Sequence, residues 1–358
     1  MSVQAVPAAD ALGRLDGYSA VIDARSEGEF ALDRLPGAVN WPSLHDAERA
    51  SIGSEDRQSS AFAARKRGAM LVARNIAAHL ERHVLELPRD WRPLVYCWRG
   101  GQRSGALATV LGQIGFRVEV VEGGYQRYRR AVLEALEVLP ATLDWRVVGG
   151  PTGAGKSRLL GELQAQGAQV LDLEALAEHR GSVLGNVPGS PQPTQKQFDT
   201  RLWNALRKLD PARPVFVESE SRKIGELRLP PALLERMRAA PCIRLDADVA
   251  IRADLLLTDY PHFSDDVEAF CACLGALRAH CGGEQVDAWQ QAARRGELKD
   301  VVEALLALHY DPAYTRSLSR NYPGMARPLA VLAIGHGGQD ALAVAARQAI
   351  TSAAPAAA

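Results

Sequence analysis

The sequence predicts an α/β protein with two parallel-sheet domains, on three observations. Short apolar runs alternate with longer segments of helical spacing over much of the 358 residues, as in parallel sheets flanked by helices. The chain is too long for one ordinary core of about 150 residues. Two apolar runs end in glycine-rich loops that also contain arginine or lysine side chains. We expect a first domain over 1–138 and a second over 139–358, the latter with a helical C-terminal part.

The apolar runs and helical spacings define the expected elements of the first domain. Strands are predicted over 19–23, 38–41, 93–96 and 117–121, and helices over 74–87, 104–114 and 125–139. Because reactive groups in parallel sheets lie at the carboxyl ends of the strands, the segment after residue 96 is a candidate site.

The second domain is predicted to have the same alternation. Its strands are expected over 145–148, 169–172, 214–218 and 242–245, with a mainly helical region over 265–308. The Gly-, Pro- and Ser-rich stretch 181–193 is expected to be a mobile or ligand-ordered loop, and the tail 351–358 to be disordered.

Composition limits the functional classes. Lys and Arg total 42 and equal Asp and Glu at 42, so no global field attracts nucleic acid. Any RNA binding requires a local patch, for which 65–67 and 127–130 are candidates, although the first also fits a solvated helix face. No stretch approaches the roughly 18 apolar residues of a membrane span, and 1–10 lacks a signal-peptide pattern. We expect a cytoplasmic protein without a membrane partner.

The cysteines fit neither a disulfide framework nor a metal site. Their number is odd, at 5, and their spacing is irregular, which argues against paired disulfides. Cys271, Cys273 and Cys281 lie in a helical pattern without an evident fourth ligand, whereas structural zinc uses CxxC spacings. We assign no metal ligands.

Cys97 ends an apolar run and precedes a loop that contains Arg99, Gly100 and Arg103. Backbone N–H groups of such a loop and the N-terminus of the next helix stabilise a thiolate and a bound anion. Arginine adds a guanidinium fork for a phosphate-like group. We therefore take Cys97, Arg99 and Arg103 as catalytic candidates. The spacing Cys-x5-Arg-Ser fits phosphoester hydrolysis through a cysteinyl phosphate, and equally sulfur or selenium transfer through a persulfide-type intermediate.

A second anion-binding loop follows the predicted strand 145–148. Gly150, Gly153, Gly155, Lys156 and Ser157 match the Walker A spacing and open a helix, the context that makes this motif credible. Its backbone N–H groups would hold a diphosphate, its lysine would reach the outer oxygens, and its serine could hold Mg²⁺. The motif leaves open which molecule carries the phosphates.

Acidic residues at the ends of neighbouring strands accompany this loop. Asp172 or Glu218 could supply the acid that P-loop proteins use. Glu218, Glu220 and Arg222 are candidates for orienting a donor or a metal. A solvated salt-bridge cluster is the alternative interpretation.

Four segments of the first half, 21–30, 34–40, 96–104 and 122–125, resemble the signature of a rhodanese domain in the same order. The resemblance implies that Cys97 carries a chalcogen. The cysteine loop is one residue longer than in ordinary rhodaneses and is similar to that of rhodanese-fold dual-specificity phosphatases. A phosphatase therefore stays an alternative for this half.

A rhodanese-like domain followed by a P-loop NTPase-like domain resembles the bacterial tRNA 2-selenouridine synthase family over almost the whole chain. The segments that carry this resemblance are 96–104, 149–157, 192–199, 218–225 and 309–314. One departure is Asp199, where the pattern has a glutamate.

The resemblance implies a transferase that acts on 2-thiouridine at the wobble position in the anticodon of tRNA. A geranyl group from geranyl diphosphate is first placed on the sulfur, and selenium from selenophosphate then replaces it. The P-loop would hold the prenyl diphosphate, and the Cys97 loop would receive selenophosphate from its supply system. The alternatives are a rhodanese-fold phosphatase or sulfurtransferase fused to an ATP-binding kinase-like domain, and a nucleotide-gated binding protein whose rhodanese half is a scaffold.

Overall fold

The computed structural model describes residues 3–58, 61–181, 185, 189–335 and 338–353. Its strands are β1 Val3–Val6, β2 Ala20–Asp23, β3 Ala38–Asn40, β4 Pro93–Tyr96, β5 Val118–Val121, β6 Asp144–Gly149, β7 Gln169–Leu171, β8 Pro214–Glu218, β9 Lys223–Ile224, β10 Leu227–Arg228, β11 Cys242–Asp246 and β12 Ala330–Ala333. Its α-helices are α1 Ala8–Gly13, α2 Glu27–Leu32, α3 Asp46–Gln58, α4 Ala61–His83, α5 Gln102–Ile114, α6 Gly124–Val138, α7 Lys156–Ala165, α8 Leu173–Ala177, α9 Gln195–Leu206, α10 Pro231–Ala239, α11 Val249–Asp259, α12 Pro261–Asp265, α13 Val267–Gly275, α14 Arg278–Cys281, α15 Gly283–Arg294, α16 Leu298–Leu305, α17 Asp311–Asn321 and α18 Gly338–Ala353.

The chain forms two compact units. The first comprises Met1–Leu136 and Pro193–Asn204, and the second comprises Glu137–Gln192 and Ala205–Ala358. The ranges predicted from the sequence, 1–138 and 139–358, leave α9 in the second domain, whereas most of α9 makes its contacts in the first unit.

The first unit is built on a five-stranded sheet in the order β1-β5-β4-β2-β3, and every pairing is parallel. Its central strand β4 is buried at all four positions, because helices cover both faces of such a sheet. The sequence analysis missed β1. Only its last residue is buried, so this edge strand has no apolar run to reveal it.

The second unit has a parallel sheet in the order β12-β11-β6-β8-β7 and a small antiparallel hairpin of β9 and β10. Helices α11 to α16 and the π-helical turn Leu306–Tyr310 enclose a separate apolar core around Phe270, Leu274 and Trp289. The α/β class, the two parallel sheets and the helical C-terminal region are therefore confirmed.

The last part of the chain differs from expectation. Strand β12 and helix α18 were not predicted, and residues 351–353 continue α18, so the expectation of disorder was wrong for them. Ala345, Ala346 and Ala349 of α18 are buried against the second sheet, and this long-range packing keeps the helix formed to its end. Residues 354–358 of the predicted tail, and 182–184 and 186–188 of the predicted loop, lie outside the described residues. None of the described helices combines the length and apolarity that a bilayer crossing requires.

A buried ion pair organises the first sheet. Arg25 and Asp23 are 1% and 0% exposed, and the guanidinium contacts both carboxylate oxygens at 2.6–3.0 Å. Arg25 also donates to the Asp33 carbonyl at 2.6 Å and lies 4.0 Å from the centroid of the Tyr125 ring. The Tyr96 hydroxyl donates to Asp23 at 2.7 Å. These bonds join β2, β4, α6 and the segment after α2.

Hydrogen bonds also attach α9 to this unit. The Asp33 carboxylate accepts from Tyr125 at 2.8 Å and from Thr200 at 3.2 Å. Arg129 of α6 forms an ion pair with Asp199. Burial raises the pKa of Asp33 despite these two donors. The network explains why α9 belongs to the first unit.

Replacing Arg25 by methionine would leave Asp23 buried and without its charge partner. We expect Arg25→Met to lower the unfolding free energy of the first unit by about 3–5 kcal/mol. Arg14→Met removes an arginine that is 54% exposed and paired with Glu119, and should cost less than about 1 kcal/mol. Hydrogen exchange at β2 and β4 amides measures both, and equal effects of the two substitutions would contradict this assignment.

Candidate active sites

Cys97 lies directly after β4, at the carboxyl edge of the first sheet, and is 3% exposed. The Ser104 hydroxyl, in the first turn of α5, donates to the Cys97 Sγ at 3.1 Å. Burial raises the pKa of the thiol, but this bond and the backbone N–H groups of Ser104, Gly101 and Arg99 outweigh burial and hold the pKa below its ordinary value. These donors favour ionisation of the thiol.

Two glycines allow the loop to close around the sulfur. Gly100 and Gly124 have φ values of +67° and +55°. A Cβ on Gly124 would lie 2.2 Å from the Cys97 carbonyl oxygen and 2.4 Å from the Gly100 nitrogen. The segment 122–125, which contributed to the rhodanese resemblance, therefore lies against the cysteine loop. The Tyr125 N–H donates to the Cys97 carbonyl at 2.8 Å.

The two candidate arginines differ in their surroundings. Arg103 donates to Glu29 at 2.8 Å. Burial opposes ionisation of Glu29, but Arg103 holds the pKa of that carboxyl below its ordinary value. Arg99 is exposed, and its guanidinium has no ion-pair partner among the residues that the structure describes. Arg99 is therefore the cation that is free to meet an incoming anion, whereas Arg103 positions the start of α5 against α2.

The second loop joins β6 to α7 in the second unit. The Gly150 N–H donates to the Tyr314 hydroxyl at 2.5 Å, and Lys156 Nζ donates to the Gly150 carbonyl at 2.9 Å. Gly153 and Gly155 have φ values of +79° and +83°, a backbone conformation that glycine adopts without steric cost. The Walker A residues thus form one continuous loop with its lysine folded over it.

Arg252 braces this loop and was missed by the sequence analysis. It is 4% exposed, donates to the Thr152 carbonyl at 3.0 Å and holds Asp311 through two bonds of 2.8 and 2.7 Å. Asp311 belongs to the segment 309–314 that supported the family resemblance. The segment 309–314 was the one sequence signal for this contact. It pointed to Asp311 but did not show that Arg252 of α11 is the residue that binds it.

Glu218 ends β8 beneath the loop region. It is 1% exposed, and one carboxylate oxygen accepts from the N–H groups of Leu173 and Glu174 at 2.7 and 2.9 Å. Its other oxygen has no partner among the described residues. Burial and then the carboxylates of Asp172, Glu220 and Glu174 raise the pKa of Glu218 well above its ordinary value.

Glu174 and Glu220 both face the backbone of Gly181. A Cβ there would lie 2.5 Å from Glu174 Oε1 and 3.0 Å from Glu220 Oε1. Glu174 also accepts from Ser157 at 2.9 Å. Burial raises the pKa of Glu220 to about 8, with Glu174 adding to the effect. Within the described ranges, no group of three or more His, Cys, Asp or Glu side chains is arranged to hold a metal ion.

A cavity of about 760 Å³ opens beside the Walker A loop. Its polar end is lined by Lys156, Ser157, Glu174, Glu220 and Tyr314, whereas Glu218 and Arg222 are not among its lining residues. Its other part is lined by aliphatic and aromatic side chains, which include Leu256, Leu257, Phe263, Phe270, Val302, Leu305, Leu306 and Leu318. The Walker A loop is thus continuous with an apolar chamber.

The predicted basic cluster 127–130 and the cysteines of α13 lie in ordinary structural surroundings. Arg129 of the 127–130 cluster is committed to Asp199, and Arg130 pairs with Glu134 on the exposed face of α6. Cys271 is 2% exposed inside α13. Cys97, Arg99 and Arg103 belong to the first unit, and the other candidate site residues belong to the second.

Comparison with known proteins identifies relatives of both units. Residues 7–131 match the model of the rhodanese-like domain, and residues 143–280 match that of the tRNA 2-selenouridine synthase AAA domain. A tRNA 2-selenouridine synthase of Nitrosomonas europaea is 31% identical over 345 residues, covering 84% of this chain and 89% of the relative. Enzymes of the same name from Cupriavidus necator and Bdellovibrio bacteriovorus are 33% and 31% identical, covering 82% and 84% of this chain and 87% and 89% of theirs.

The hydroxyl of Ser104 should govern the reactivity of Cys97. Ser104→Ala removes one donor to the sulfur, so we expect the pH midpoint of Cys97 alkylation to move upward. Because a hydrogen bond to a charged group contributes about 1.5–3 kcal/mol, the rate near neutral pH should fall roughly tenfold or more. Peptide mass spectrometry after iodoacetamide treatment reports this site alone. Ser54→Ala, on α3, is the control, and identical profiles for both variants would refute the role.

Proposed function

Because the chain belongs to the tRNA 2-selenouridine synthase family, we propose that it converts wobble 2-thiouridine of tRNA to 2-selenouridine in two steps, prenylation and selenium transfer. The observation that carries the proposal is the cavity in which a diphosphate-binding loop adjoins an apolar chamber. The Cys97 loop supplies a separate anion site for the second step. The cytoplasm stays the predicted location.

The cavity suits a prenyl diphosphate better than a nucleotide. Its volume of about 760 Å³ lies within the roughly 300–1,000 Å³ of small-molecule sites. The N–H groups of Gly153 and Gly155 and the ammonium of Lys156 would bind the diphosphate. The chamber lined by Leu257, Phe263 and other apolar side chains would bury a geranyl chain, whereas a ribose and base would gain less from burial against these side chains.

In the first step, the sulfur of 2-thiouridine attacks the first carbon of the geranyl group. The carbon–oxygen bond breaks, diphosphate leaves with the electron pair, and the base loses its N3 proton. Lys156 would stabilise the charge that develops on the leaving diphosphate. Arg252 would position the loop by holding the Thr152 carbonyl. S-alkylation converts a poor leaving group into a better one.

The carboxylates beside the loop fit Mg²⁺ in this step. Burial raises the pKa values of Glu174 and Glu220, and the carboxylate of Asp172 adds to the first and that of Glu174 to the second, so a divalent cation would reduce the repulsion among these carboxylates. Ser157 and Glu174, already hydrogen-bonded to each other, would hold it. Mg²⁺ would neutralise part of the diphosphate charge and usually keeps several waters.

In the second step, we favour attack of Cys97 on phosphorus, because transfer of selenium from selenophosphate to the base then needs no oxidant or reductant. Selenium has the same oxidation state in selenophosphate and in selenouridine. The selenium of selenophosphate attacks C2 of the geranylated base and expels geranyl thiol. The resulting nucleoside still carries the selenium–phosphorus bond. The Cys97 thiolate then attacks phosphorus, selenouridine leaves with the electron pair, and water releases phosphate. The loop N–H groups and Arg99 would stabilise the phosphoryl oxygens. A selenium-carrying Cys97, as the rhodanese resemblance implies, is the competing route.

The two steps should separate genetically. We expect Cys97→Ser to accumulate a nucleoside that has lost its geranyl group but keeps the selenium–phosphorus bond, without free selenouridine, since the serine hydroxyl is a far weaker nucleophile at neutral pH. Lys156→Ala should block geranylation itself. Nucleoside mass spectrometry after reaction with a 2-thiouridine anticodon stem-loop measures both products. Cys273→Ser, in α13, is the matched control. Wild-type selenouridine formation by Cys97→Ser would exclude the cysteine mechanism.

The affinity of the cavity for prenyl diphosphates should rise with the length of the prenyl group. Each buried methylene contributes about 0.8 kcal/mol, so geranyl diphosphate should bind at least 100-fold more tightly than dimethylallyl diphosphate, and ATP should not compete. Leu318→Asn places a polar group on the chamber wall and should weaken geranyl but not inorganic diphosphate binding. Leu308→Asn, at a side chain that is 61% exposed, should change neither. Calorimetry measures these affinities, and tight ATP binding would favour the kinase-like alternative.

A further inference from the structure

A second concavity, of about 680 Å³, lies in the same unit outside the P-loop cavity. Three elements bring arginines to it. Arg222 follows β8, Arg238 lies near the end of α10, and Arg320 lies near the end of α17. Glu235 and Asn321 also line it. We call this concavity the arginine groove.

The arginine groove carries uncompensated positive charge. Arg222, Arg238 and Arg320 form no side-chain ion pair or hydrogen bond with any residue that the structure describes, and Glu235 is the one carboxylate among the lining residues. The Nε of Arg238 is buried and has no hydrogen-bond partner within the described part of the chain. Because the whole chain has a formal net charge of 0, this cluster is a local feature and not part of a general basic surface.

The groove adjoins the wall of the P-loop cavity. Ser221 lines the cavity and the next residue, Arg222, lines the groove. Helix α17 contributes Ser317 and Leu318 to the cavity and Arg320 to the groove. A molecule bound along the groove would therefore pass close to the cavity in which the prenyl step is proposed.

We propose that the arginine groove binds the phosphate backbone of the substrate RNA beside the nucleotide that is modified. Guanidinium groups match phosphate geometry through paired donors, and backbone contacts position an RNA without reading its sequence. A single-stranded anticodon loop can splay its base away from the backbone. The backbone would then lie in the groove while the base enters the cavity. This inference rests on the proposed function.

The test is the salt dependence of RNA binding. For single-stranded nucleic acid, each phosphate contact contributes about 0.7 to the slope of log K against log salt. Arg222→Ala, Arg238→Ala and Arg320→Ala should each flatten that slope by about 0.7 and weaken binding about fivefold at 0.1 M salt. Arg347→Ala, at an exposed arginine of α18 outside the groove, should change neither. Fluorescence anisotropy with a 2-thiouridine anticodon stem-loop at several salt concentrations gives both quantities.

Charge-preserving variants separate a binding role from a structural one. The double variant with Arg238→Lys and Arg320→Lys should keep the wild-type slope, whereas the corresponding alanine double should lose about 1.4 from it. Both doubles should bind geranyl diphosphate as the wild type does. If the lysine double falls to the alanine level, or if the alanine double keeps the affinity and slope of Arg347→Ala, the proposal is overturned. Failure of the wild type to bind the stem-loop would instead contradict the proposed function.

Discussion

Both candidate sites depend on one constraint: a parallel strand that is buried at its C-terminal end must lead, within a few residues, into the N-terminus of a helix. Strand β4 leads to Cys97 and α5, and β6 leads to the Walker A loop and α7. The short connection turns backbone N–H groups toward a common point, where they attract an anion. The tight loop also brings neighbouring backbone segments close together. Glycine therefore occupies positions such as Gly124, where a Cβ would lie 2.2 Å from the Cys97 carbonyl oxygen.

The two sites handle charge in opposite ways. At the cysteine, neutral donors stabilise the sulfur, because Arg103 is held by Glu29 and the buried Arg25 by Asp23. These paired arginines shape the first unit without presenting charge to a ligand. At the Walker A loop, the half-buried Glu174 and the buried Glu220 have raised pKa values close to Lys156. The first arrangement favours an anionic nucleophile, and the second favours a diphosphate with a cation.

Under the proposed function, the apolar chamber would favour a prenyl diphosphate over a nucleotide at this P-loop. A fold of this class serves many activities, so function has to be argued from the site. Helices α11, α13, α16 and α17 add a wall of apolar side chains next to the phosphate-binding loop. Arg252 bonds both to Asp311 of α17, one of the wall helices, and to Thr152 of the Walker A loop. The wall and the loop are therefore held together by hydrogen bonds.

The sequence by itself determined the α/β class, the main buried strands and the position of both glycine-rich loops, because apolar runs, glycine positions and the Walker A spacing are local patterns. Only the tertiary structure decided the partners of these residues. Edge strands β1 and β12, the contacts of α9 with the first unit and the commitment of Arg103 to Glu29 depend on segments far apart in the chain. The chamber likewise combines side chains from Leu256 to Leu318. No local pattern encodes such pairings, since they exist only after long-range packing has brought the surfaces together.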